Sequence, residues 1–180
     1  SEEEKLKRVL DEFRRAVKEL LEDLERANER AKDEVRRLLE DLDRAHERIR
    51  RAVEKLKERV KDKGPEKVLE ELDRELKKLA EENEKSKEEV ERTVRRVHEK
   101  NEKIKEDLRR TVERVEEEVR KTRPDKDLEK RIRDTLREIK KRVEDVKRDN
   151  KRVLDELRKK IEENKKRNED VLKEMEDKTE

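Results

Sequence analysis

Six asparagines and two histidines are the residues of this chain whose chemistry goes beyond surface ion pairing. An imidazole can move a proton or ligate a metal, and a carboxamide donates and accepts at once. Asn28, His98, Asn101 and Asn150 form one candidate group, and His46, Asn83, Asn164 and Asn168 a second, with Ser86, Thr111 and Thr135 close by in the pattern developed below. Three chemistries compete for these side chains: metal ligation, proton transfer at an active site, and internal hydrogen bonding. Asn and His are poor helix-interior residues unless something specific satisfies them, so the elements that carry them decide the matter.

Those elements are helices. The chain has 180 residues, of which 63% are charged and 27% hydrophobic, yet 58 Lys and Arg nearly cancel 56 Asp and Glu to leave a net charge of +2. Disorder is favoured by high net charge and scant hydrophobicity. Here the signs cancel and the apolar residues keep strict time, which argues for ordered helices with a narrow core. One glycine and two prolines divide the chain into thirds. Gly64-Pro65 suits a helix stop followed by a helix start, and Pro124 marks the second break. Ser1 and Glu4 have the spacing of a capping box. Helices are therefore expected at about 2–62, 66–122 and 126–178, each roughly 80–90 Å long.

The apolar stripe of the first helix runs from Leu6 to Val60. Its mean step is about 3.6 residues, the period of a straight helix and not the 3.5 of a left-handed supercoil. A straight helix returns to the same face after five turns, or about 18 residues. The sequence repeats at that interval: LLEDLERANERA starts at Leu20 and LLEDLDRAHERI at Leu38, and NEKSKEEVERTVRRV starts at Asn83 and NEKIKEDLRRTVERV at Asn101. The expected fold is all-α: an elongated, nearly straight, up-down-up antiparallel three-helix bundle with an 18-residue repeat, forming a single domain over 1–180.

Short connections make the helices antiparallel neighbours. Folding about the first break pairs residues whose numbers add to about 127, and about the second break to about 247. Asn28 then shares a level with His98, Asn101 and Asn150, and His46 with Asn83, Asn164 and Asn168. Thr111 meets Thr135, and Ser86 lies beside the second level. Each level is served by all three helices. A buried amide without partners costs roughly 1–3 kcal/mol, so such layers penalise a shifted helix and reward the correct register.

This placement weakens the other chemistries. The two histidines would lie roughly 26 Å apart and could not share an ion. One imidazole among amides is a weak ligand set for zinc or copper. No metal, cofactor or enzymatic activity is expected. Cysteine is absent, which removes thiolate catalysis, disulfides and Cys-based zinc sites. Basic and acidic residues alternate and Phe13 is the single aromatic, so neither nucleic acid nor a membrane surface is an expected partner. No apolar run reaches the length of a membrane span, and no secretory leader is expected.

Taken together, the shared period, the level-matched Asn and His, the minimal connections, the Glu/Lys/Arg surface and the absence of Cys, Gln, Trp and Tyr resemble de novo designed helical bundles with buried hydrogen-bond networks. The resemblance covers the whole chain. It implies a structural scaffold with no natural activity and no native location, soluble and cytoplasmic on recombinant expression. It also implies an alternative: a helical interaction module, either a homo-oligomer or a heterodimer component that accepts a partner helix. No partner is required by the first reading. A mild acid sensitivity is a further expectation: if both histidines are buried and neutral, acid would charge them within the amide layers, and stability would fall as pH drops below about 6.5.

Overall fold

A computed structural model describes residues 1–62 and 66–180. Three helices account for nearly all of them: α1 (Glu2–Lys61), α2 (Glu66–Lys121) and α3 (Lys126–Thr179). They pack as an all-α three-helix bundle. The ends agree with the sequence-based boundaries to within one residue. The expected roles of Gly64 and Pro65 lie outside the described residues. Pro124 stands in the break between α2 and α3.

Local chemistry explains the described ends. Ser1 Oγ accepts the Glu4 amide at 3.3 Å, and the Ser1 ammonium lies 3.8 Å from Glu4 Oε2, so the capping pair is reciprocal. Asp125, directly after Pro124, accepts the Leu128 amide on Oδ1 at 2.8 Å and caps α3. Acidic residues occupy the first turn of each helix and basic residues the last, as the helix dipole favours.

The chain divides into two compact units, and each takes a segment of all three helices. Unit 1 comprises Ser1–Ala31 and Arg95–Arg152. Its core is one apolar cluster, with Leu6, Val9, Leu10, Phe13, Val17 and Leu24 from α1, Leu108 and Val115 from α2, and Leu128, Ile132, Ile139, Val143 and Val146 from α3. Unit 2 comprises Lys32–Val94 and Val153–Glu180. Its apolar core falls into two clusters, one around Val35, Leu42, Val90, Leu157 and Ile161, the other around Ile49, Val53, Leu56, Leu72, Leu79, Val171 and Met175. These side chains recur at helical spacing, and each fully buried Leu, Ile or Val contributes about 1.5–3 kcal/mol.

Interhelical ion pairs record the register in each unit. Between α1 and α2, Arg14–Glu116 and Glu25–Lys105 in unit 1 have residue numbers that add to 130, as do Lys57–Asp73 and Asp43–Lys87 in unit 2. Between α2 and α3, Glu118–Arg131, Asp107–Arg142 and Lys100–Asp149 in unit 1 add to 249, as do Glu89–Lys160 and Glu82–Arg167 in unit 2. The sequence-based sums of 127 and 247 are therefore corrected upward by three and by two. The position of a break in the sequence is not the midpoint about which the neighbouring helices mirror each other.

Candidate functional site

In unit 1 the amides of Asn28, Asn101 and Asn150 meet. Asn150 Nδ2 donates to Asn28 Oδ1 at 3.1 Å and to Asn101 Oδ1 at 3.2 Å. One carboxamide nitrogen on α3 thus spends both its protons, one on each of the other helices. Asn101 is buried at 2% exposure, and Asn28 and Asn150 are partly buried. This layer borders the unit 1 apolar cluster, whose members Leu24 and Val146 lie one turn, and Leu108 two turns, from an asparagine on the same helix.

In unit 2 the corresponding layer joins His46, Asn83 and Asn168. Asn83 Nδ2 lies 3.2 Å from His46 Nδ1 and 3.2 Å from Asn168 Oδ1. The donor is again a single amide nitrogen, now on α2. Asn168 is fully buried and Asn83 nearly so. On every helix this layer separates members of the two apolar clusters: it falls between Leu42 and Ile49, between Leu79 and Val90, and between Ile161 and Val171. Every member of the layer stands 18 residues from its counterpart in unit 1, His46 from Asn28, Asn83 from Asn101 and Asn168 from Asn150.

Five of the sequence-expected network residues are placed differently. His98 is exposed and makes no hydrogen bond to the asparagines. It follows Val97, and one residue of helix turns a side chain by about 100°, which carries it past the seam that Asn101 occupies. Asn164 and Ser86 are partly buried near the unit 2 layer, yet neither joins its hydrogen bonds. Thr111 and Thr135 do not bond one another: Thr111 Oγ1 donates to the Asp107 carbonyl at 2.9 Å and Thr135 Oγ1 to the Arg131 carbonyl at 2.8 Å. A hydroxyl one turn above a carbonyl of its own helix satisfies itself locally before it reaches a neighbour.

Two polar groups escaped the sequence reading. Lys105 is only 6% exposed, and its Nζ reaches Glu25 at 3.2 Å and Glu102 at 3.1 Å. Burial pushes this ammonium down, but the bonds to Glu102 and Glu25 outweigh burial and hold it above the ordinary lysine value. Its position one turn from Asn101 on the Ile104–Leu108 side was the available signal. Glu129 is also 6% exposed, and its Oε1 is sealed from solvent without a hydrogen-bond partner. Replacing Glu129 with methionine keeps the stem and removes the stranded acceptor. Urea denaturation is expected to show a gain of about 1–2 kcal/mol, after allowing for the lost carboxylate near the start of α3.

Ion pairs within the bundle shift several carboxylates and lysines. The hydrogen bond and charge of Lys147 hold Asp23 below the usual aspartate value, Arg167 does the same for Glu82, and Lys105 for Glu102. Carboxylates depressed in the folded state stabilise it above their unfolded values of 3.8 and 4.5, and this is lost as pH falls through the folded ones. Lys57 and Lys87 are raised by bonds to Asp73 and Asp43; like Lys105, they stabilise below 10.5 and cease to as pH rises through their higher folded values. Thermal melts are thus expected to hold a plateau for these pairs from about pH 5 to 10 and to drop at pH 3 and pH 11, with smaller drops in ~1 M salt.

A shallow cleft of about 540 Å³ between α1 and α3 of unit 2 is lined by Asp41, Arg44, Glu47, Arg48, Arg51 and Lys165, with acids and bases interleaved. Among the described residues no three His, Asp or Glu side chains are placed to hold a metal ion, and no helix is long and apolar enough to cross a membrane. No family model matches the chain, nor does any curated protein or solved structure.

Proposed function

We propose that this chain is a designed structural scaffold whose two amide-centred layers set the register of its helices, with no natural activity. The observation that carries this reading is the hub arrangement. In each layer one carboxamide nitrogen, Asn150 or Asn83, donates to one side chain on each of the other two helices. Displacing any one helix strands at least one of those groups.

The flanking charges bear on the register in two opposed ways. Along the α2–α3 seam the pairs Glu118–Arg131 and Lys100–Asp149 in unit 1 are one sequence repeat apart and opposite in polarity. Glu82–Arg167 in unit 2, a further repeat along the sequence, reverts to the first polarity. An α3 displaced by one repeat would set Glu118 against Asp149, or Lys100 against Arg131. Each exposed pair is worth only tenths of a kcal/mol. Asp107–Arg142 and Glu89–Lys160, also 18 residues apart, keep one polarity, so the same slip would match them, and the seam charges do not select the register by themselves. A docking groove for a partner helix needs exposed apolar surface. No large hydrophobic side chain is exposed among the described residues, which favours a self-contained scaffold over an interaction module.

The test replaces a whole layer. With Asn28→Leu, Asn101→Leu and Asn150→Leu together, no donor or acceptor is stranded, so the denaturation midpoint is expected to hold or rise. Register discrimination is expected to weaken, so that native mass spectrometry and light scattering show mixed association states. A triple variant that stays a single species of unchanged mass, with the same helix pairing by cross-linking, would overturn the register role.

A further inference from the structure

The unit 2 layer holds a group that register setting does not require, an imidazole. Asn83 Nδ2 donates to His46 Nδ1 at 3.2 Å and to Asn168 Oδ1 at 3.2 Å. An amide nitrogen has two protons and serves both contacts. His46 Nδ1 is then a bare acceptor, and the ring proton sits on Nε2. The arrangement leaves one polar atom idle: Asn168, at 0% exposure, has its Nδ2 sealed without a partner.

Carboxamide oxygen and nitrogen are nearly equal in size, and the torsion that exchanges them is broad and two-fold. Turning the amides of Asn83 and Asn168 by half a turn exchanges O and N at both contacts without changing their shape. Asn83 Oδ1 would then accept from Asn168 Nδ2 with one lone pair and from His46 Nδ1–H with the other. That second bond needs a proton on Nδ1. The stranded atom would become the Asn168 carbonyl oxygen, and a carbonyl short of a partner is less rare in protein interiors than an orphaned N–H.

We propose that this layer has two hydrogen-bond polarities and that the His46 proton selects between them. A proton taken from solvent onto Nδ1 makes His46 an imidazolium, the Asn83 and Asn168 amides reverse together, and no bond of the layer is lost. The added charge enters a mixed field. By position on α1 and by the register of the ion pairs, the charged residues at about the level of His46 are Asp43, Glu47 and Arg50 on α1, Glu84 and Lys87 on α2, and Lys165 and Arg167 on α3. The cations already have acidic partners: Arg50 in Glu47, Lys87 in Asp43, Lys165 in Glu162 and Arg167 in Glu82. The unit 1 layer lacks such a device, since Asn28 stands where unit 2 has His46. The inference rests on hub geometry and holds whether or not the layers set register.

The test is nuclear magnetic resonance on the full chain labelled with nitrogen-15, at pH 7.5 and pH 5, which bracket ordinary imidazole titration. At pH 7.5 a nitrogen–nitrogen coupling across the Asn83 Nδ2–H···Nδ1 His46 bond is expected. At pH 5 that coupling should vanish while the denaturation midpoint stays unchanged. Relative to the Asn150 carboxamide, exchange of the Asn168 carboxamide protons should slow several-fold and that of Asn83 should quicken. In His46→Asn neither carboxamide should respond. The proposal is overturned if His46 takes up no proton by pH 5. It is equally overturned if His46 titrates while Asn168 exchange is unmoved, or if His46→Asn shows the same response.

Discussion

Asn83→Leu is expected to lower the unfolding free energy by about 2–4 kcal/mol. Asn83 is the hub of the unit 2 layer, and its loss strands the Asn168 carboxamide in a place with no solvent and takes the donor from His46 Nδ1. Leucine fills much of the same volume, so little of the cost comes from a cavity. The cost arises because folding still removes the Asn168 oxygen from water and no longer returns a bond for it. Asn168→Leu makes an instructive partner: it frees only one of the two protons on Asn83 Nδ2 and also removes the sealed, idle Nδ2 of Asn168. Its cost is expected to be clearly smaller, near zero. Urea denaturation of both variants, read at constant slope, checks the order. Equal losses, or a larger loss at Asn168, would mean that the hub assignment is wrong.

Phe13→Ala is expected to cost about 3–5 kcal/mol. Phe13 is the only aromatic side chain of the protein and is 1% exposed, in a cluster that draws on all three helices. Its ring is the largest single volume in the unit 1 core. Truncation removes its transfer free energy and leaves a hole that neighbours on long, hydrogen-bonded helices refill only in part. Phe13→Leu, which leaves a much smaller void, is expected to recover more than half of the loss. Chemical denaturation and hydrogen exchange at the amides of 6–24 provide the measurement. A loss under about 1 kcal/mol would show that the unit 1 core is not close-packed around this ring.

Much of this was legible in one dimension. The 3.6-residue stripes and the lone Gly and two Pro placed the helix ends within a residue, because an apolar face and a chain breaker act locally. Counting along antiparallel helices also brought Asn28 to Asn101 and Asn150, and His46 to Asn83 and Asn168. The same counting included His98, Asn164, Ser86, Thr111 and Thr135, and there it failed. Level is an axial coordinate, while a hydrogen bond also needs the right azimuth and reach. His98 stands nearly a turn from Asn101 on α2 and faces solvent; Thr111 and Thr135 have numbers that add to 246, short of the observed 249, and each bonds a carbonyl of its own helix.

The chain by itself determined three helices, their order and the approximate height of each polar layer. Those properties follow from local propensity and from residue spacing, which are written along the sequence. Only the tertiary structure decided which amide is the hub, that Asn168 keeps an idle N–H, that Lys105 and Glu129 are buried, and that His46 faces inward while His98 does not. These depend on the rotation of each helix about its own axis. That rotation is set by the combined packing of three helices, and no single stripe contains it.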